Sequence, residues 1–546
     1  MGALTGGQLV ARMLKKEGVE TVFTLSGLHV APIYVGCVEQ GIRIVDTRHE
    51  QAAAHAADAW ARLTRGVGVA VVTAGPGVTD AVTGVANAFA ANVPLLLLGG
   101  AAPVFNLGRG SLQEMPQTQL FQGITKWTDR VPSPDLVPSY LAKAFRVARA
   151  GRPGPVFLEI PWDVLSNGAE EALVDAQTRY RTDARQPGDP RKVEEALALL
   201  GRAERPVVLA GSSVWWDDAA GALDRLARRS GVPVYLNGMG RGCLPEGHPS
   251  FLQLSRKEAL GQADVVLVVG TPLDFRVGYG TEPTFAAGAR VLQVDVDGAE
   301  IGRNRPIEVG IVADSRSALE QLEAGAGAWG GKGWLPHLRA DEEKRRERQR
   351  AFEQSDQTPI HHFRLARALD DVAGRLDVTW VADGGNVVAV AAKVLRVPGP
   401  GRWLDPGPLG CLGVGAPFAI AAKLLAPERP VCVVQGDGSF GLNGMDYETA
   451  VRFGLPMVVV VGNDAAWGQI LIPQRGMYGE AVATRLAPTR YDRIVEAMGG
   501  KGEHVEDPGD LAPALERAFA SGTVYCVDVA IDPEAAAASG AAGYAV

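Results

Sequence analysis

Three stretches of the chain repeat one local plan, and that repetition restricts the fold more than any other feature. "VGVAVVTAGPGVTDAVTGVANAFAANVPLLLLGG" runs from Val67 to Gly100, "RPVVLAGSSVWWDDAAGALDRLARRSGVPVYL" from Arg205 to Leu236, and "RPVCVVQGDGSFGLNGMDYETAVRFGLPMVVVVGND" from Arg429 to Asp464. Each is an apolar, β-branched run, a Gly-containing turn, an amphipathic helix, then a proline that opens a second apolar run. Proline has no N–H to give a ladder and is tolerated where a strand begins, so Pro94, Pro233 and Pro456 mark strand starts. Continuous apolar strands alternating with helices predict parallel sheets covered on both faces. At 546 residues the chain is too long for one core. The expected fold class is therefore α/β, with three doubly wound parallel-sheet domains at residues 1–182, 191–330 and 360–546. A polar, proline-containing linker (183–192) separates the first two. A Gly-rich segment that becomes highly charged (325–350) reads as a second linker ending in a solvated helix.

Composition removes several classes of function. The formal net charge is −8 and no basic tract stands out, which argues against a nucleic-acid partner. No apolar run of about 18 residues exists, so no membrane span is expected. The start, "MGALTGGQLVARMLKKEGVE", reads as an amphipathic helix rather than a signal peptide. The five cysteines are scattered, odd in number and never spaced CxxC. That argues against a disulfide framework or zinc site and suits a reducing cytoplasm.

The third stretch carries the chemistry. Its first apolar run ends on Gly436-Asp437-Gly438 and its second on Asn463-Asp464. A strand, a right-handed helical crossover and a second strand lie side by side, so both acids reach the same sheet edge although 27 positions separate them (464 − 437). Ligands bind at that edge in open parallel sheets. Two carboxylates there suit a hard divalent cation, Mg²⁺ or Ca²⁺. The glycines admit a phosphate, and the helix that follows offers its positive end.

GDG followed about 25 residues later by Asn-Asp resembles the diphosphate-binding motif of thiamine-diphosphate enzymes. The likeness extends along nearly the whole chain, as pyrimidine-binding, central and diphosphate-binding domains in that order. Within the superfamily the chain resembles the acetolactate synthase-like group, and in particular the 2-hydroxyacyl-CoA lyases. "VDTRHE", "VTAGPGVTDAV", "RWLDPGPLGCLGVGAPFA" and "VGNDAAWGQI" carry the likeness. It implies Asp437, Asp464 and the carbonyl of Ala466 as Mg²⁺ ligands, with Asp464 standing where most relatives have Asn. It implies Gly438, Ser439, Gly385, Asn386, Trp467 and Gly468 around the diphosphate. Leu412 would prop the cofactor in its bent shape, and the Gly410 backbone would face its 4′-amino group. Glu50, at the start of an Ala-rich helix, matches the catalytic glutamate that acts on the aminopyrimidine ring. In the family that glutamate reaches a cofactor held by another subunit, so a homodimer or homotetramer is implied. His29 and Gln113 match positions that face the substrate. His55 reads as structural.

On the substrate the residues divide two readings. Acetolactate synthases usually carry G-M-V-x-Q-W after the metal motif; here "GQILIP" puts Pro473 at the position of that Trp. Acids that end a strand often hold a nucleotide ribose, which makes Asp295 and Asp297 candidates for an ADP moiety in the central domain. Arg152 and Arg276 are candidates for its phosphates. Tyr544 is the only large anchor in a small-residue tail. The expected enzyme is a lyase acting on 2-hydroxyacyl-CoA. The alternatives are a 2-ketoacid carboligase or decarboxylase, or a non-catalytic cofactor-binding relative.

Overall fold

The computed structural model describes residues 3–538; Tyr544 lies outside them. The chain divides into two compact units. The first comprises the chain up to Asp183 with Pro406–Glu428 and Ser439–Pro456, and the second comprises Ala184–Asp405, Arg429–Gly438 and everything from Met457.

The first unit holds six parallel strands: β1 (Thr21–Thr24), β2 (Arg43–Asp46), β3 (Gly68–Val72), β4 (Leu95–Ala101), β5 (Trp127–Arg130) and β6 (Val156–Pro161). Their order is β2-β1-β3-β4-β6-β5. Every residue of β3, β4 and β6 is buried, as runs covered on both faces require. The N-terminal helix Gly6–Lys16 is amphipathic as expected. Thr5 Oγ1 accepts from the Gln8 amide, Gln8 Oε1 accepts from the Thr5 amide, and Leu9, Val10, Met13 and Leu14 fill the core beneath. The Glu50–Thr64 helix is buried along almost its whole length because most of its contact residues are alanines. It packs on the equally small-sided helix Gly415–Leu425. Between them lies one ion pair: Arg62 donates to Asp58 at 2.6 and 3.0 Å, and its guanidinium stacks 5.1 Å from the Phe418 ring.

The second unit holds two parallel sheets. One has β7 (Pro206–Ala210), β8 (Val234–Leu236), β9 (Val265–Val269), β10 (Arg290–Asp295) and β11 (Val309–Val312) in the order β8-β7-β9-β10-β11. The other has β12 (Thr379–Asp383), β13 (Trp403–Leu404), β14 (Val431–Gly436), β15 (Met457–Asn463), β16 (Lys501–Val505) and β17 (Val524–Ala530) in the order β13-β12-β14-β15-β17-β16. Pro94, Pro233 and Pro456 each stand immediately before a strand, at β4, β8 and β15. In register, Gly436 of β14 faces Gly462 of β15, which brings Asp437 and Asp464 to one edge. Among the described residues no helix is long and apolar enough to cross a membrane.

The charged segment departs from expectation on one face. It is helical over Trp334–Glu353, but Trp334, Leu338 and Glu342, four residues apart, are buried. Trp334 Nε1 donates to the Pro206 carbonyl at 3.0 Å. Glu342 accepts from the backbone amides of Leu254 and Ser255 at 3.0 and 2.8 Å and from Ser255 Oγ at 2.9 Å. The helix is therefore tied to the central domain, and its acid holds a loop that reappears below.

Each unit also buries a histidine. Burial pushes His55 in the first and His362 in the second down to about 4. Both are neutral in folded and unfolded chain above pH 6.5. As pH falls below 6.5 the unfolded chain takes up protons first at these two sites, so the stability they contribute should be lost between about 6.5 and about 4, against the opposite contribution of the buried, raised carboxyls described below. Denaturant midpoints across that range check it: the wild type should lose stability relative to His362→Gln as pH falls.

Candidate cofactor and active site

The strand order of the β12–β17 sheet reverses between β12 and β14, which opens a crevice at their carboxyl ends. Asp437 follows β14 there and is 2% exposed. Its Oδ1 accepts from the Gly438 amide at 2.7 Å, and its Oδ2 is buried with no partner among the described residues. Asp464 follows β15 and accepts from the Ala466 amide at 3.1 Å, while Ala465 takes a left-handed φ of 49°. The chain then doubles back. Ala465 O accepts from Leu486 and Trp467 N donates to Thr484, both at 2.8 Å, which leaves the Ala466 carbonyl outside that pair of bonds.

The glycines here are fixed by close approach. A Cβ on Gly438 would lie 2.4 Å from the Trp467 ring. A Cβ on Gly468 would lie 2.7 Å from Asp464 Oδ2 and 2.9 Å from Asn386 Nδ2. Asp464, Asn386 and Gly468 therefore meet. Both side-chain polar atoms of Asn386 are buried and unpartnered. Gly385, at φ 82°, opens the helix Gly385–Val394 beside them, and Ser439 is buried two residues past Asp437. Burial raises the Asp437 carboxyl to about 6; burial and then the charge of Asp437 raise Asp464 to about 7. Two like charges and orphaned polar atoms in one buried crevice, at a helix N-terminus, fit a divalent cation and the diphosphate it would carry.

A further layer escaped the sequence reading. Asn463 donates to Asp528 at 3.0 Å and to the Thr489 carbonyl at 2.9 Å, and His504 Nδ1 lies 2.9 Å from the other Asp528 oxygen. Asp492, His504 and Asp528 are close enough to hold a metal. However, Arg490 already grips Asp492 at 2.6 and 2.8 Å, so the group reads as a brace for the Asp464 turn. A lone acid in the buried strand "VYCVDVA" was the available signal.

In the first unit the sheet order reverses between β1 and β3, and the loops after them carry His29 and Thr73. His29 Nδ1 lies 3.2 Å from Thr73 Oγ1, and burial lowers the His29 pKa. Glu50 is buried in the first turn of its helix; burial, with the charge of Asp80 adding, raises its carboxyl above the ordinary range. A Cβ on Gly77 would lie 3.1 Å from Glu50 Oε1, one on Gly75 2.8 Å from Gln113 Cβ, and one on Gly100 2.6 Å from His29 Cβ. The three candidates thus stand on one floor of glycines. Gln113 itself has a left-handed φ of 62°. The Gly410–Leu412 loop also belongs to this unit; Cys411 Sγ lies 3.7 Å from His55 Nε2. His55, read as structural, is fully buried edge-on to Phe418.

Of the four residues assigned to an ADP moiety, Arg152 belongs to the first unit and Arg276, Asp295 and Asp297 to the second. Arg276 is committed to Asp274, its Nη2 donating at 2.6 Å, and Asp295 accepts from the Asp297 amide at 2.9 Å. What the second unit does contain is a cleft of about 220 Å³ lined by Arg241, Arg256, Lys257 and Lys393. Among the described residues none of these four makes a salt bridge, although the charge of Asp405 acts on Arg241. Burial lowers Arg241 to about 10, and its Nε has no partner. Burial lowers Arg256 and Lys393, and the Arg256 charge adds to the shift of Lys393. The only acid in the lining, Glu246, is 3.9 Å from both Arg346 and Arg396. The loop bearing Arg256 is the one Glu342 holds.

The orphaned amide and the helix N-terminus at the crevice suit a diphosphate-binding α/β enzyme. The comparisons specify which: the chain belongs to the thiamine pyrophosphate enzyme family. Residues 4–120 match the N-terminal TPP binding domain, 193–322 the central domain and 383–529 the C-terminal TPP binding domain. A probable acetolactate synthase of Mycobacterium bovis is 40% identical over 97% of this chain and 96% of its own length. The 2-hydroxyacyl-CoA lyase 2 of Caenorhabditis elegans is 38% identical over 92% of this chain and 84% of its own length. The human 2-hydroxyacyl-CoA lyase 2 is 37% identical over 91% and 84%.

Proposed function

We propose that the chain is a Mg²⁺-dependent lyase that cleaves the C1–C2 bond of a 2-hydroxyacyl-CoA, or forms it in reverse, giving formyl-CoA and an aldehyde or ketone. The observation that carries the reading is the cationic cleft. Four cations that make no salt bridge among the described residues, three of them held below their ordinary pKa by burial, favour a multiply charged anion. The phosphates of CoA are of that kind, and this cleft replaces Asp295, Asp297, Arg152 and Arg276 as the leading site for them.

Asp437, Asp464 and the Ala466 carbonyl would hold Mg²⁺, with Asn386, Gly438 and Ser439 at the diphosphate. Thiamine diphosphate, once bound, supplies the thiazolium that accepts the electron pair of the broken bond. Glu50 would bond the aminopyrimidine ring of a cofactor held by a partner subunit, which makes the active unit a homo-oligomer. His29 has Nδ1 engaged by Thr73, leaving Nε2 to take the proton of the substrate hydroxyl as C1–C2 breaks. A proton returned to C1 releases formyl-CoA, and Gln113 would donate to the thioester oxygen. Four of the five free cysteines are buried, in keeping with a reducing cytoplasm.

The second reading is a 2-ketoacid carboligase, favoured by the relative named acetolactate synthase. Against it, Pro473 stands inside the helix Gly468–Tyr478 at the position of the usual Trp. Calorimetry with CoA and ADP, run beside a pyruvate turnover assay, separates the two. CoA should bind the resting enzyme, and Arg256→Ala or Lys393→Ala should weaken it by about 1–3 kcal/mol, the scale of a charged hydrogen bond. Robust acetolactate formation with no CoA binding overturns the lyase reading.

A further inference from the structure

We infer that Gln117 is the positioning residue of the active site, a buried clamp that holds the glycine floor under Glu50, Gln113 and His29. Gln117 is 1% exposed. Its Oε1 accepts from the Gly75 amide at 2.7 Å. Its Nε2 donates to the Gly100 carbonyl at 2.9 Å and to Glu159 Oε2 at 3.1 Å. The orientation of the amide is fixed, because a backbone N–H needs an oxygen and a carbonyl and a carboxylate need an N–H. Glu159 is fully buried and its other oxygen accepts from Arg130. The clamp is thus anchored to β5 and β6 at its back.

What it grips gives it function. Gly75 takes φ 63° and ψ −112°, a conformation that strongly favours glycine, and Gln113 packs against it. Two residues on, Gly77 lies against Glu50 Oε1. Gly100 ends a buried strand beneath His29. One carboxamide therefore joins the two segments, at Gly75–Gly77 and at Gly100, against which all three candidate side chains lie, and makes no hydrogen bond to any of them among the described residues. It acts through backbone placement, where an error of an ångström is costly to rate.

The inference rests on the reading that those three residues face the reacting centre, so its test has an arm that needs no reaction. Gln117→Leu removes both bonds. Deuterium exchange should show the Gly75 amide losing protection, while the protection of β15 in the other unit is unchanged. With whichever donor the wild type accepts, kcat should fall about 100-fold with little change in KM. The affinity for thiamine diphosphate, whose proposed ligands Asp437, Asp464 and Asn386 belong to the other unit, should stay within about threefold, as for independent sites. Gln117→Glu keeps the acceptor for Gly75 but loses the donors. It should keep Gly75 protected and lose less kcat than Gln117→Leu, and Gln117→Met, unbranched and without an acceptor for Gly75, carries the exchange test if the leucine variant fails to fold. Unchanged Gly75 protection in Gln117→Leu overturns the clamp. Lost protection with unchanged kcat overturns its role in positioning. A wild type inactive on both donor classes would instead count against the proposed function and leave the exchange result standing.

Discussion

Asp437→Ala should abolish magnesium-dependent uptake of thiamine diphosphate. Asp437 is the buried one of the two carboxylates at the crevice, and its Oδ2 has no partner among the described residues. Deleting it removes a ligand oxygen where water has little access, so the remaining ligands cannot complete a hard cation's shell. An affinity loss of more than about 100-fold is expected, the effect of losing a charged ligand at a metal. Titration of the cofactor against intrinsic fluorescence, with and without Mg²⁺, measures it. Asp464→Asn makes the contrast. The amide keeps an oxygen for the cation and removes the repulsion from Asp437 that helps hold Asp464 at about 7. It should cost little. Equal damage from both changes would break the pairing of these two residues as ligands.

Glu50→Gln should keep fold and cofactor affinity and lower turnover by about 10²–10⁴, the range for a general acid–base group. The amide is nearly isosteric, so the helix start beside Gly77 is undisturbed. What disappears is a carboxyl that burial has already raised toward neutral pH, the condition under which it can share a proton. Near-normal turnover in this variant would remove Glu50 from the chemistry.

Much of this was legible because the signals were local. The three prolines each stood one residue before a strand, and a parallel crossover forces neighbouring strand ends together, so Asp437 and Asp464 could be paired from spacing alone. The cationic cleft was not legible. Arg241, Arg256, Lys257 and Lys393 come from separate segments with no shared period. The residues that seemed to offer the site, Arg276 and Asp295, are engaged by partners two residues away. Glu342 was hidden for the opposite reason: it stands in a run of charges, and only the four-residue spacing from Trp334 and Leu338 marks its buried face.

The helix Gly385–Val394 begins beside Asp464 and ends with Lys393 in the cationic cleft. It is a gauge. Eight residue steps at the α-helical rise give about 12 Å between its two working ends. No loop intervenes to stretch that interval. On the proposed function, a donor whose phosphates sit at Lys393 and whose arm is much shorter than this cannot approach the far end, whatever its acyl group. A donor with a flexible arm of greater length meets no such bar. On that reading the reach of the donor's arm is measured against a count of residues in the protein, and adding or deleting a turn of this helix would recalibrate it.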